Sequence, residues 1–470
     1  MCNMQYDTVV IGAGPGGYIA AVRLAQLGVK TACIEAEPHL GGKCLNLACI
    51  PSKTLLQASE AFQNFLQEAK NHNVEINHEV LDLTAIMKRK NKVIDQLACS
   101  VSTLFAENNV DLIVGQAKIT DPHTIVATLQ DGQVQKIKTN SIVLATGSAP
   151  IQLPFLRFDE KKVLSSSGAM SLEKLPKSMI VIGGGAVGVE MASIYSRFGT
   201  KVTVIEQMSH ICPEIDLSMS NELLRILKKQ DISFSLNTQV LSATDLGAKG
   251  IEIGVRLPSG QERKMHADVV LVAIGRHPHS YDMGLSKLKV DKTGRGAVIV
   301  DDHFRTTVPN IYAIGDLIDG PGLAHRASYE GVQVAEIIAG KAVKLDYSII
   351  PNIIYTSPEV ATVGLSVDEA KELERPIKVG KCQLKVNARA EISGETDGFC
   401  LVVADSQTER ILGVHILAPK ASEMIAVAGF ALSKRATLKE LASLPFAHPT
   451  FSEIIKEACL DAMGRSDHLF

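Results

Sequence analysis

The chain has 470 residues, 46% hydrophobic and 21% charged, which at about 150 residues per domain makes room for three domains. This composition excludes collagen-like, disordered and disulfide-scaffold classes. With 48 basic against 51 acidic residues, 4% aromatics and no Trp, it carries no signature of nucleic-acid or polybasic membrane binding.

The first predicted element is an apolar strand, Thr8–Ile11, leading into Gly12-Ala13-Gly14-Pro15-Gly16-Gly17 and a helix. The uncharged run Thr8–Val22 has the look of a signal-peptide core, but no Lys or Arg precedes it and glycines and Pro15 interrupt it. It is also shorter than the roughly 20 apolar residues of a membrane span. The expectation is a chain with no membrane span and no export signal, placed in the cytoplasm. A second strand, Val29–Ile34, ends in Glu35, 18 residues beyond Gly17. The order strand, G-x-G-x-x-G, helix, strand, acid has a mechanical reason. The first Gly makes the tight turn, the second admits a pyrophosphate to the backbone, and the third lets helix and strand pack closely. The helix N-terminus presents unpaired N–H groups to the phosphates, and the acid accepts from a ribose. Glu35 fits the adenosine half of either NAD or FAD.

Next comes Gly41-Gly42-Lys43-Cys44-Leu45-Asn46-Leu47-Ala48-Cys49-Ile50-Pro51-Ser52-Lys53. Nine cysteines are too dilute, and odd in number, for a secreted disulfide framework, so any cysteine chemistry must come from spacing. Leu55, Phe62 and Leu66 fall at helical spacing after Pro51, which suits an early helical turn. Five residues of regular helix separate two cysteines by about 7.5 Å along the axis, whereas a disulfide wants Cα atoms within about 6.8 Å. Pairing Cys44 with Cys49 therefore requires a bend or irregularity between them. Low thiol pKa values are expected at such a helix start, above all for Cys49, with Lys53 one turn on. Lys43 is expected to lower the Cys44 value further. Two buried cysteines of no consequence are the bland alternative, which the dinucleotide fingerprints make the weaker one. No companion Cys or His pair at ligand spacing lies nearby, so no metal is expected. Cys2, Cys33, Cys99, Cys212, Cys382, Cys400 and Cys459 read as isolated packing residues.

At an offset of 171 the first pattern recurs. Strand Met179–Ile182 runs into Gly183-Gly184-Gly185-Ala186-Val187-Gly188, and strand Lys201–Ile205 ends in Glu206, again 18 residues past the last Gly. Gly28 and Lys30 return as Gly199 and Lys201. Two copies point to two dinucleotides. Glu206 repels a 2′-phosphate and no Arg lies between Ile205 and Asp216, so the second site should prefer NAD to NADP. From about Tyr347 no further fingerprint appears. Near the end stands Ala447-His448-Pro449-Thr450-Phe451-Ser452-Glu453. His is the side chain suited to taking and returning a thiol proton near neutrality. Thr450-x-x-Glu453 reads equally as a capping box at a helix start.

These motifs together resemble the pyridine nucleotide–disulfide oxidoreductases, over essentially the whole chain. Gly41–Lys53 resembles the redox-active segment of that family, in the Cys-x4-Cys-Ile-Pro-Ser-Lys form of its dihydrolipoamide-oxidising branch. Ala145-Thr146-Gly147-Ser148 is similar to a strand-end contact with FAD, Ile311–Asp316 to the second FAD motif, and Leu323-Ala324-His325 to the segment beside the flavin ring. Ala273-Ile274-Gly275-Arg276 is similar to the strand that closes the NAD domain. Ile354–Ala361 and Asn387–Ala390 resemble the interface domain. The resemblance implies an α/β protein with two Rossmann-like dinucleotide-binding domains and an α+β dimerisation domain. FAD would occupy a discontinuous domain (1–150 and 277–346), NAD the inserted 151–276, and 347–470 would form the interface. FAD contacts would come from Gly12, Gly14, Pro15, Gly16, Gly17, Glu35, Gly42, Lys53, Gly115, Ala117, Thr146, Gly147, Ser148, Asp316 and Ala324. NAD contacts would come from Gly183, Gly184, Gly185, Ala186, Val187, Gly188, Glu206, Val240, Ala273 and Gly275.

The same resemblance implies that Cys44 exchanges with the substrate disulfide, Cys49 interacts with the flavin, and Lys53 pairs with Glu190. By itself Glu190 reads as an acid complementing a helix start. His448, oriented by Glu453, would serve the dithiol of the partner subunit, which makes the active sites of a homodimer shared. The implied activity is oxidation of protein-bound dihydrolipoamide, electrons passing from dithiol to FAD to NAD, within 2-oxo acid dehydrogenase complexes. The lipoyl domain and acyltransferase core would be the partners. Lys43 stands where Thr is usual, Leu47-Ala48 replaces Val-Gly, Phe446 takes a position often held by a second His, and Ala117 one usually held by Gly. A glutathione-type or mercuric reductase is the alternative of the same fold. Cys-Ile-Pro-Ser-Lys, Glu206 and a single late cysteine, Cys459, speak against both. A non-catalytic flavoprotein scaffold or redox sensor is the alternative of another class, and Cys44, Cys49 and His448 speak against it.

Overall fold

The computed structural model describes residues 4–71, 73–74, 81–281 and 283–465; Cys2 lies outside them. The chain divides into two compact units. The first comprises Met1–Leu55, Asp82–Ile151 and Gly275–Leu345; the second comprises Leu56–Leu81, Gln152–Ile274 and Asp346–Phe470.

The first unit is built on strand Met4–Ile11, which pairs in parallel with Thr31–Glu35 on one side and Val134–Leu144 on the other. Ile311–Ala313 extends the sheet in parallel beyond Val134–Leu144. Val9 and Val10 are fully buried on opposite faces of the strand, the continuous apolar pattern of a parallel strand covered on both sides. Strand Asp111–Asp121 pairs in parallel with Thr31–Glu35 and then in antiparallel with Thr124–Leu129. Helix Pro15–Gln26 lies against helix Ala324–Ile338. Their approach is close because both carry Gly at the crossing. A Cβ on Gly331 would lie 2.5 Å from the Gly16 carbonyl oxygen.

The second unit repeats the parallel arrangement. Ser178–Ile182 lies between Lys201–Ile205 and Val269–Val272, with Ser233–Ser235 and Val163–Leu164 at the edges. The meander Gln239–Asp245, Ile251–Arg256 and Glu262–Ala267 follows. The C-terminal part is a five-stranded antiparallel sheet centred on Ile411–Ala418, with helix Glu453–Ala462 packed on strands Ile377–Gln383 and Phe399–Asp405. Two α/β sheets, each carrying one fingerprint, and one α+β region match the expected fold class. Within the second unit, hydrogen bonds tie the helices of the fingerprint sheet to the C-terminal part. Glu190 accepts a hydrogen bond from the Tyr355 amide (2.9 Å), and Gln230 donates to the Ser357 carbonyl (2.6 Å).

Strand Thr31–Glu35 begins two residues later than its apolar pattern suggested. Val29 and Lys30 instead serve the turn, where the Asp7 and Thr8 amides both donate to the Lys30 carbonyl.

Candidate active site

The 171-residue repeat extends to individual hydrogen bonds. Glu35 accepts from the Ala13 amide at 2.7 Å and from the Glu37 amide at 3.1 Å. Glu206 accepts from Gly184 at 2.6 Å and from Met208 at 2.7 Å, the same two positions 171 residues on. Each carboxylate thus ties the second strand to the fingerprint turn. Two amides use part of its roughly four acceptor sites, and the remainder suits a ribose diol. Gly12 and Gly183 take φ of +100° and +106°. A Cβ at Gly12 would lie 2.5 Å from the Ala145 carbonyl oxygen, and one at Gly183 would strike that of Ala273. At Gly17 and Gly188 a Cβ would run into the carbonyl of the first glycine of the same turn. Both helices therefore start with bare backbone, as Pro15–Gln26 after Gly14 and Ala186–Arg197 after Gly185. Val187 on the second helix is 43% exposed although the residues that follow are buried. These cradles fit two dinucleotides.

The dithiol is held by two short-range features. Gly42 packs against the first fingerprint so tightly that a Cβ there would lie 2.6 Å from the Gly14 Cα. Helix Gly42–Leu47 then stops at Ala48 (φ −141°, ψ −91°), and helix Cys49–Asn71 begins at once. This break is the irregularity that the spacing demands. It lets Cys44 and Cys49, both thiols here, meet in a hydrogen bond. The expectation of low thiol pKa values is corrected for Cys44, whose thiol is pushed well up. The bond to Cys49 is the main cause, burial and the charge of Cys49 add to it, and Lys53 opposes. Lys43 is not among the leading influences on it. Its ammonium instead donates to the Ser148 carbonyl at 2.7 Å.

Ser148 joins the other segments that the resemblance assigns to FAD. Its hydroxyl donates to Asp316 at 2.6 Å, and Arg276 donates from Nε to that hydroxyl (2.7 Å) and from Nη2 to the carbonyl (2.9 Å). Asp316 sits in the turn Gly315–Leu317, held by Glu330, which accepts from the Gly315 amide at 2.6 Å and from Arg326 at 2.8 Å. Thr146 donates to the His279 carbonyl at 2.7 Å, Gly147 makes the next turn at φ +69°, and Ala324 opens helix Ala324–Ile338. Gly115 and Ala117 lie on strand Asp111–Asp121, opposite Leu129 and Ala127. Val240 pairs with Val255, and Gly275 follows Ala273 at φ +117°.

In the second unit, His448 Nδ1 lies 2.9 Å from Glu453 Oε1, while Glu453 Oε2 accepts from the Thr450 amide at 2.8 Å. Glu453 thus reaches the His448 ring with one oxygen and the Thr450 backbone with the other. The Thr450 hydroxyl turns to the Ala447 carbonyl, and Ser452 rather than Thr450 precedes helix Glu453–Ala462, so the expected capping box does not form. Glu190 is buried in helix Ala186–Arg197.

Two features escaped sequence reasoning. The Glu214 carboxyl faces the Ala186 amide at the start of the second fingerprint helix; burial pushes its pKa up and that amide draws it down. Cys382, Cys400 and Cys459 are not isolated. Cys382 and Cys400 are cross-strand partners, and Cys459 on the last helix acts on the same thiol. Burial pushes Cys382 and Cys459 up to about 12, the state of inert packing thiols.

A family model described as pyridine nucleotide-disulphide oxidoreductase matches residues 6–331. The chain belongs to that family. Residues 350–459 match the family's dimerisation domain. The chain is 40% identical over 466 residues to the mitochondrial dihydrolipoyl dehydrogenase of Pisum sativum, covering 99% of this chain and 93% of that one. With its Sus scrofa counterpart it shares 42% over 459 residues, 97% and 90% of the two chains. Among solved structures, the HOCl-induced flavoprotein disulfide reductase RclA of Escherichia coli superposes with a TM-score of 0.86 at 27% identity, covering 98% and 99%. No helix among the described residues is long and apolar enough to cross a membrane.

Proposed function

We propose that the chain is a dihydrolipoyl dehydrogenase, oxidising protein-bound dihydrolipoamide with NAD through a bound FAD. The observation that carries this is the Cys44–Cys49 pair, set across a helix break just beyond Gly42, which packs against the first fingerprint. The relatives at 40% and 42% identity, named for this activity, support it.

In this reading the Cys44–Cys49 disulfide is the resting oxidant. One substrate sulfur attacks Cys44 as its proton passes to His448 Nε2, and Cys49 leaves as thiolate. The second substrate sulfur displaces Cys44, lipoamide is released, and both electrons remain on the enzyme dithiol. Bound FAD supplies the carrier of those two electrons to NAD, so that dihydrolipoamide and NAD give lipoamide, NADH and a proton. Glu453 fixes His448 Nδ1 as the N–H and leaves Nε2 as base. His448 is 71% exposed in the single chain, which supports service to the dithiol of a partner subunit in a homodimer with shared sites. The charge of Cys49 acts on Arg276, whose own bonds reach Ser148 beside Asp316. That supports Cys49 as the thiol on the flavin side. A Lys53–Glu190 pair near the flavin belongs to the same reading. So do the division into FAD (1–150, 277–346), NAD (151–276) and interface (347–470) domains, and docking of a lipoyl domain and acyltransferase core in 2-oxo acid dehydrogenase complexes. A dilute cysteine set supports the cytoplasm as compartment, while the named plant and pig relatives are mitochondrial.

The test compares purified, flavin-containing protein with lipoamide, oxidised glutathione and Hg(II) as NADH-dependent substrates. Lipoamide is expected to dominate. Intact flavin with no lipoamide reduction overturns the reading.

A further inference from the structure

Lys43 is the one charged residue of the dithiol segment to which the reaction gives no task. Its neighbour Gly42 lies on Gly14 of the first phosphate turn. Its ammonium reaches Ser148, whose hydroxyl is bonded to Asp316. Lys43 therefore stands between the turn suited to a diphosphate and the acid suited to a ribityl chain. A dinucleotide bound to both must cross that interval. Ser148 takes one of the three ammonium donors, and among the described residues no second acceptor is bonded to it.

Two cations also converge beside this interval, with Asp316 and Glu35 as their counter-charges. Lys43 and Arg276 share the Ser148 carbonyl, with Asp316 4.0 Å from Arg276. Burial, and then Arg276, lower the Lys43 pKa, while Asp316 and Glu35 work the other way. A diphosphate brings two negative charges to a place where the helix N-terminus alone offers only about half a positive charge. The alternative task, activating Cys44, is the weaker one: the ammonium is bonded to Ser148, and the groups that act most on that thiol are Cys49 and Lys53.

We infer that Lys43 is a contact for the ribityl–diphosphate stretch of FAD and sets how tightly the chain retains its flavin. This rests on the reading of the first unit as the FAD-binding one.

The test is flavin release from the holoenzyme on dilution, followed by the rise in free flavin fluorescence, for wild type, Lys43→Met and Lys43→Arg. A charge-assisted hydrogen bond contributes about 1.5–3 kcal/mol, so Lys43→Met should weaken FAD retention by roughly tenfold or more. Lys43→Arg should restore most of it, and added salt should loosen the wild type more than Lys43→Met. Equal retention in Lys43→Met and wild type overturns the inference. So does unchanged retention accompanied by an altered rate of Cys44 alkylation. Should Lys43→Met fail to fold, the salt response of wild type and Lys43→Arg decides, and retention indifferent to salt overturns the inference. A wild type purified without flavin that takes up no added FAD would instead count against the parent reading.

Discussion

His448 and Glu453 illustrate how one carboxylate serves two ends. Glu453 Oε2 is tied to the Thr450 amide, so Oε1 is presented to His448 by a fixed backbone rather than by a free rotamer. General bases contribute about 10²- to 10⁴-fold, and His448→Gln is expected to lower lipoamide turnover by that order. Steady-state rates with lipoamide check this, with NADH oxidation by an artificial acceptor as the control that should survive. At the second dinucleotide turn, Glu206→Ala should raise the KM for NAD and narrow the preference over NADP, if the acid accepts from the ribose and repels a 2′-phosphate as proposed. Initial rates with the two cofactors measure it. Residue types and spacing made the fingerprint acids, the dithiol and the histidine legible in the sequence. The destination of Lys43 was not, because its acceptor, Ser148, lies 105 residues away.

At the scale of elements, packing follows from what is missing at the contact. The helices Pro15–Gln26 and Ala324–Ile338 approach over Gly16 and Gly331, and Gly331→Ala would push a methyl toward the Gly16 carbonyl. Such overpacking costs about 1–3 kcal/mol, which denaturant unfolding should register together with looser flavin. In the C-terminal sheet, His415 Nε2 lies 2.9 Å from the Leu365 carbonyl oxygen, and burial lowers the pKa of the ring from 6.5. The unfolded chain therefore binds the proton more readily. The stability that neutral His415 contributes is complete above pH about 6.5 and is lost as pH falls through the lowered folded value. Thermal melts between about pH 7.5 and pH 5 should fall more steeply for wild type than for His415→Gln; parallel slopes would contradict this. Neither His415 nor the cluster of Cys382, Cys400 and Cys459 was legible. Their neighbours are set by strand register and helix docking, which leave no local pattern.

For the whole molecule, the 171-residue repeat foretold two Rossmann-like sheets because strand, turn, helix and acid are all local to about 30 residues; the antiparallel strand Thr124–Leu129 of the first sheet lies outside that pattern. The first unit was harder to see as one body, since three separated stretches of chain compose it. If His448 serves the partner's dithiol, two inactive proteins must complement each other. Cys44→Ser and His448→Gln homodimers, mixed and allowed to exchange subunits, should regain lipoamide activity in the hybrid; a site complete within one chain would leave the mixture inactive.

The most direct test of the central claim separates dithiol chemistry from flavin chemistry in one protein. Flavin-loaded Cys44→Ser is assayed with dihydrolipoamide and NAD, and in parallel with NADH and an artificial electron acceptor. Lipoamide turnover should vanish while acceptor reduction persists. Equal loss of both, or lipoamide turnover that survives without Cys44, would contradict the account.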